Sequence, residues 1–345
     1  MNDTAVIATG SYTSGEARGQ GIRLLAVDPV EATARELGVL GGDVVSDPSF
    51  VLWSADATML YAVSETAPTR VTAVRVGPSG AELGIAGAVE LRGSGGCHLA
   101  HGIAPGTLVV AEYGSGDVEV VRLDDDGVPV EMVDACHHAG YIPTREAHPH
   151  QVVALPGIQR LAVTDLGLDR VYLYAQRPDG SIDLSGEITM GRRSGPRHVA
   201  PDHESRVLYV ACENSGEIVD VVRDDDRGED DAPAWSMRHA SPASGRDGAN
   251  AVSHIEISAH ENHAFVANRG PDTLSVHSLG MMRPELVAEI EVGAHPRHFA
   301  RIDDLLLVAA QEGDRIDVLR WDGRGLEAAG EPLPAPSITC IAPRP

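Results

Sequence analysis

The sequence predicts an all-β fold: a seven-bladed β-propeller of four-stranded blades, closed by N- and C-terminal strands that share one blade. Three observations predict it. One hairpin pattern recurs along the chain, the spacing within it barely drifts, and a seventh copy is divided between the two termini.

The clearest copy is SGPRHVAPDHESRVLYVACEN, residues 194–214. A short apolar-rich strand opens at Arg197 and His198, a polar turn follows at Asp202 to Ser205, and Val207, Tyr209 and Ala211 alternate along the return strand. Further copies are PSFVLWSADATMLYAVSE from 48, CHLAHGIAPGTLVVAEYG from 97, PHQVVALPGIQRLAVTDLG from 149, SHIEISAHENHAFVANRG from 253 and PRHFARIDDLLLVAAQEG from 296. PSITCIAP at the C-terminus supplies the first strand of the last copy, and TAVIATGSYT at the N-terminus its second. Each hairpin is followed by a third strand opened by a polar turn, such as DRVYLYAQ or GDVEVVRLD, and fourth strands are weaker, as at GSIDLSGEI. From strand-one entry to strand-two exit, Ser49 to Glu65, His98 to Glu112, His150 to Asp165, Arg197 to Glu213, His254 to Arg269 and Arg297 to Gln311 all lie 14 to 16 residues apart. A tandem pair of sandwiches would not repeat so evenly; the recurrence fits radial blades and one domain spanning residues 1–345 without a linker.

Composition narrows the function. The chain of 345 residues, 43% hydrophobic and 23% charged, has no apolar run long enough to span a bilayer. Its start has neither a basic leader nor a small-residue cleavage site, so the expectation is a cytoplasmic protein. A net charge of -24 repels phosphate backbones and anionic headgroups, which argues against nucleic-acid and membrane partners. All 27 basic residues are Arg, so lysine Schiff-base chemistry and the ordinary P-loop are excluded, and any fixed positive charge at a site is a guanidinium. Cys97, Cys136, Cys212 and Cys340 form no C-x-x-C pair and read as small buried apolar residues. The acidic run at residues 224–234 reads as a solvated loop.

A hairpin brings its two open ends together, so equivalent residues of the blades form rings around a channel mouth. The expected entry ring is Ser49, His98, His150, Arg197, His254, Arg297 and Ser337; the expected exit ring contains Glu65, Glu112, Asp165, Glu213, Arg269 and Gln311. The blades resemble the seven-bladed propeller lactonases, which include 6-phosphogluconolactonase-like enzymes and the fungal 3-carboxy-cis,cis-muconate lactonizing enzyme. The resemblance runs from GSYT at Gly10 to the terminal PSITCI and rests most specifically on HPHQV with His148 and His150, GPRH with Arg197, CEN with Glu213, and ANRG with Arg269. It implies a constellation of His150, Arg197, Glu213 and Arg269, with His148 a helper. His98, His254 and Arg297 join it as substrate-binding candidates by their ring positions. No cofactor or metal is expected. The chain departs from the family where Cys212 replaces an Asn and where Glu112 stands in AEYG; a carboxylate at the mouth would weaken anion binding unless an Arg neutralised it.

The implied function is hydrolysis of a sugar-acid lactone. Arg197 and Arg269 are the natural clamps for an oxyanion or a substrate carboxylate or phosphate. Glu213 or His150 is the base; Glu213 beside two arginines is expected to stay ionised, whereas His150 titrates nearer neutrality and makes the better proton carrier. The partner is thus a small anionic lactone or carboxylated substrate, and the protein is expected to be a monomer. Three readings stay open: a carboxymuconate-type cyclase, a non-catalytic scaffold propeller, and a metal held by His148, His150 and Glu213, against which the neighbouring arginines argue. Cys136, His137 and His138 are spaced wrongly for one metal.

Overall fold

The computed structural model describes residues 4–140, 144–224, 234–280 and 282–345; most of the acidic run, residues 225–233, lies outside them. These residues form seven antiparallel sheets; in six the strands run in sequence order from the axis outward, and in the remaining one the C-terminal strand is innermost, ahead of the three N-terminal strands. The innermost strands are Ile338–Pro343 in blade 1, Pro48–Trp53 in blade 2, Gly96–His101 in blade 3, Pro149–Leu155 in blade 4, Pro196–Pro201 in blade 5, Ala251–Ile257 in blade 6 and Pro296–Ile302 in blade 7. Each packs against the next, and the last packs against the first, which closes the ring. Blade 1 carries the lock: Ala5–Ser11, the second strand, pairs antiparallel with Ile338–Pro343, from Ile7 opposite Pro343 to Ser11 opposite Ile338. No α-helix occurs among the described residues, and none of their helices is long and apolar enough to cross a membrane.

Period-two alternation explains how the blades stack. In the second strand of blade 5, Val207–Cys212, the residues Leu208, Val210 and Cys212 join the apolar cluster shared with blade 4, while Tyr209 and Ala211 join the cluster shared with blade 6. A strand buried on both faces needs apolar residues of both parities, which is why the second strands read as near-continuous apolar runs. Seven such clusters occur, one at each blade boundary, so the core is a set of radial wedges around a polar axis.

Candidate active site

Every innermost strand breaks register near its opening. The ladder skips a residue between Pro48 and Phe50, Gly96 and His98, Pro149 and Gln151, Pro196 and His198, and Pro296 and His298, and likewise between Val252 and Ile255 and between Cys340 and Ile338. The skipped residues are Ser49, Cys97, His150, Arg197, Ser253 with His254, Arg297 and Thr339. Bulges of this kind release a residue from pairing and re-aim its side chain.

These bulged residues divide by length. Ser49 Oγ donates to Gly96 O at 2.9 Å, Ser253 Oγ to Pro296 O at 2.5 Å and Thr339 Oγ1 to Pro48 O at 3.2 Å; the Cys97 thiol reaches Pro149 O at 3.7 Å. Each fastens its blade to the next. The long side chains, His150, Arg197 and Arg297, are left to line the mouth.

The expected entry ring therefore needs three corrections. Cys97, Ser253 and Thr339 occupy the equivalent places, and His98, His254 and Ser337 do not, because the extra bulge residue shifts any count made from the apolar run. His98 and His254 sit one step deeper, with Phe50, Gln151, His198, His298 and Cys340. There Val152 N donates to His98 Nδ1 at 3.5 Å, Val199 N to Gln151 Oε1 at 2.6 Å and Ile341 N to His298 Nδ1 at 3.4 Å, so this layer accepts from the neighbouring blade. His198 and His254 meet Nδ1 to Nδ1 at 2.7 Å, and the His254 and His298 rings stack at 4.0 Å.

The exit ring is corrected likewise. Gly96 pairs with Glu112 and Pro149 with Asp165, while Pro196 pairs with Cys212 and Pro48 with Ser64, so Tyr113 and Leu166 are the equivalents of Glu213 and Glu65. Glu112 is fully buried, with Ser115 Oγ at 3.2 Å from its Oε2 and Oε1 unpartnered; burial, with Glu119 beside it, pushes its pKa up to about 8. Asp165 accepts from His148 N and Leu168 N and lies 2.7 Å from His138 Nδ1. The feared extra carboxylate at the mouth is thus absent: Glu112 stands with Asp165 in a structural layer.

Seven expected residues do meet at the mouth: Arg197, Glu213, Arg269, Arg297, Gln311, Glu65 and His150. Arg197, 2% exposed, lies with Nε 2.9 Å from Glu213 Oε2 and donates from Nη1 to Ser253 O. The same Glu213 oxygen accepts from Arg269 Nη2, and Arg269 Nε is anchored on Ala251 O at 2.9 Å. Burial and the like charge of Arg269 draw the pKa of Arg197 down to about 9, which leaves it cationic at neutral pH. Arg297 reaches Gln311 Oε1 at 3.3 Å and Glu65 Oε2 at 3.5 Å. His150 is buried, its Nδ1 has no partner, and burial together with Arg197, Arg297 and Arg269 holds its pKa well below 6.5. His148 turns aside: its Nδ1 lies 2.8 Å from Tyr113 O and its ring stacks on Tyr113 at 4.3 Å, which orients it without bringing it to Glu213 as a metal pair requires. Among the described residues no three His, Cys, Asp or Glu side chains group as a metal site.

Besides Tyr113 and Leu166, two further residues at the mouth are not legible from the repeat as the apolar runs count it. Tyr12 donates to Glu65 Oε2 at 2.5 Å and lies beneath the Arg297 guanidinium, 5.2 Å from ring centroid to Cζ. His295 Nε2 is 3.4 Å from Arg269 Nη1. The proline before each bulge at Pro48, Pro149, Pro196 and Pro296 would have aligned the blades correctly, and extending that alignment through the split blade would have brought in Tyr12. In sum, three guanidiniums face two carboxylates around a neutral imidazole, an arrangement suited to binding an anion and taking a proton.

Comparison with known proteins agrees with this architecture. The model of the family described as "Lactonase, 7-bladed beta-propeller" matches residues 6–343. The chain is 26% identical over 297 residues to a 6-phosphogluconolactonase of Bacillus subtilis, covering 84% of this chain and 83% of that protein. In fold it is similar to a periplasmic gluconolactonase of Pseudomonas aeruginosa (TM-score 0.88, 23% identity, 99% of each chain) and to a protein from Lactobacillus plantarum (TM-score 0.87, 24% identity, 99% of each chain).

Proposed function

The chain belongs to the lactonase family of seven-bladed β-propellers, and on that premise we propose that it is a hydrolase that opens an anionic sugar-acid lactone, of the 6-phosphogluconolactone type, at the Arg–His–Glu mouth. The observation that carries this reading is the set of Arg197, Arg269 and Arg297, held by Glu213 and Glu65, whose charges act on the buried imidazole of His150. In a protein of net charge -24 such a concentration of guanidinium has little use except to gather an anion. The name of the Bacillus subtilis relative supports the same substrate class.

The chemistry follows from these side chains. A water gives a proton to the His150 imidazole as its oxygen bonds to the lactone carbonyl carbon, and the tetrahedral oxyanion is held by Arg197 and Arg269. Collapse breaks the ring C–O bond, and His150 returns the proton to the leaving alkoxide. Glu213 touches both arginines and positions them. Burial, and after it the arginine charges, makes this base weak in the empty site; an anionic substrate would offset the arginine contribution and strengthen the base to that extent.

We further propose a cytoplasmic monomer with one domain, consistent with four cysteines that form no disulfide. Assaying phosphorylated and plain sugar-acid lactones alongside carboxylated muconates tests the function. Hydrolysis well above the spontaneous rate, lost in His150→Ala, is expected; no turnover and no thermal protection by any of them would favour a scaffold.

A further inference from the structure

A second concentration of arginine lies apart from the mouth. Arg145, Arg170, Arg192 and Arg193 line a cavity of about 490 Å³ together with Asp169 and Tyr172, and none of the mouth arginines borders it. The cavity sits at the mouth-facing end of blade 4, where the turn after Arg160–Asp165 and the end of Ile182–Thr189 come together.

Its one lining carboxylate is already committed. Asp169 Oδ2 accepts from Arg145 Nη1 and from Arg193 N, both at 2.6 Å, and Oδ1 from Gly195 N at 3.0 Å. Arg170 holds Asp169 O at 3.0 Å and has Glu187 at 3.7 Å. Arg192 and Arg193 are exposed, and among the described residues no carboxylate lies within ion-pair distance of either. Arg193 also has φ +57°, a left-handed conformation uncommon for a side chain of this size, which its N–H to Asp169 holds in place. Four guanidiniums against Asp169 and Glu187 leave two positive charges unmatched. That is the complement of a phosphate monoester dianion.

The rest of the lining selects the remainder of the ligand. Leu168, Met190 and Tyr172, whose ring packs against His138 at 4.0 Å between centroids, give an apolar wall, and Thr144 and Thr189 also line the cavity. Polyanions are repelled by the net charge of -24, whereas a small ester is of a size with the cavity volume. We propose that this cavity is a second anion site, separate from the mouth, that binds a small phosphate monoester carrying a ring. Binding here does not depend on any lactone being turned over.

Calorimetric titration of the full chain at low salt with inorganic phosphate, glucose 6-phosphate and adenosine monophosphate, with glucose and adenosine as uncharged controls, tests it. The two esters should saturate a site that survives in Arg197→Ala, bind more tightly than inorganic phosphate, and weaken as salt rises; the controls should not bind. The exposed charge reversal Arg192→Glu with Arg193→Glu should lower ester affinity roughly tenfold or more while the circular dichroism spectrum stays unchanged. No saturable binding below about 10 mM, loss of all binding in Arg197→Ala, or full retention in the charge reversal would overturn the site. Equal affinity for inorganic phosphate and the esters would overturn the role given to the apolar wall.

Discussion

Arg269 of blade 6 donates to the Glu213 carboxylate of blade 5, so a single ion pair spans the blade boundary at the mouth. Because Arg197 shares that carboxylate oxygen, Glu213 sets the separation of the two guanidiniums. Glu213→Gln should therefore lower kcat by roughly 10- to 100-fold through misplacement, without raising KM, since the mouth gains net positive charge. Steady-state kinetics would check this; an unchanged kcat would remove Glu213 from the positioning role.

His150 makes a prediction in pH. As a base it must be unprotonated, and its pKa is held well below 6.5, so kcat/KM should stay flat from pH 7.5 down to 6.5 and fall only at more acid pH. His150→Ala should lower kcat by about 10² to 10⁴. A half-maximal pH near 7 would assign the base to another group.

Glu112 predicts a gain. Its folded pKa, about 8, lies above the unfolded value of 4.5, so the folded state holds an extra proton between these pH values and its stability falls as pH rises through that window. Glu112→Gln removes the ionisation, and its melting temperature should exceed that of the parent at pH 8.5 with turnover unchanged. A lower melting temperature there would show that the carboxylate is needed in its charged form.

The deeper histidine layer predicts the opposite sign. His98 and His298 accept backbone N–H bonds at Nδ1, and burial holds both, like His198, well below 6.5 and His254 near 3. Arg197 and Arg297 face the same layer and add positive charge, and His150 beside them is likewise held neutral. Above pH 6.5 these groups are neutral in both states and contribute nothing to the pH dependence; below it the unfolded chain binds protons that the folded chain refuses, so stability is lost progressively toward pH 3. Thermal melts between pH 6.5 and 5 should show the loss, and His298→Phe, which stacks without titrating, should flatten it.

Closure makes a structural prediction. Deleting residues 1–11 removes the strand Ala5–Ser11, with Ile7 and Ala8 fully buried, and uncouples Ile338–Pro343 from the rest of blade 1. The ring should lose its lock and much of its thermal stability; a truncated chain melting at the parent temperature would contradict this.

Much of this was legible in the sequence because a strand buried on both faces writes itself as an apolar run, and seven such runs at even spacing leave few other folds. The ends of the hairpins located His150, Arg197, Arg297, Glu213 and Arg269 for the same reason. What stayed hidden traces to the bulges. Each inserts one residue that periodicity cannot count, so His98 and His254 were placed in a ring that Cys97 and Ser253 occupy, and Glu112 and Asp165 were placed where Tyr113 and Leu166 stand. Tyr12 escaped because its blade is assembled from both termini, and the arginine cavity because Arg145, Arg192 and Arg193 of its wall lie on connections between strands, which do not repeat.

Whether the arginine-rich mouth binds and turns over an anionic lactone, as proposed, is tested most directly by comparing Arg197→Ala and Arg197→Lys with the parent on whichever lactone the parent proves to hydrolyse. Arg197 is almost wholly buried and contacts Glu213 and Ser253 O, so an ammonium cannot replace its fork. Both variants should lose kcat/KM by about 10² or more, with the folded circular dichroism spectrum retained. Full activity in Arg197→Ala would show that the chemistry takes place elsewhere.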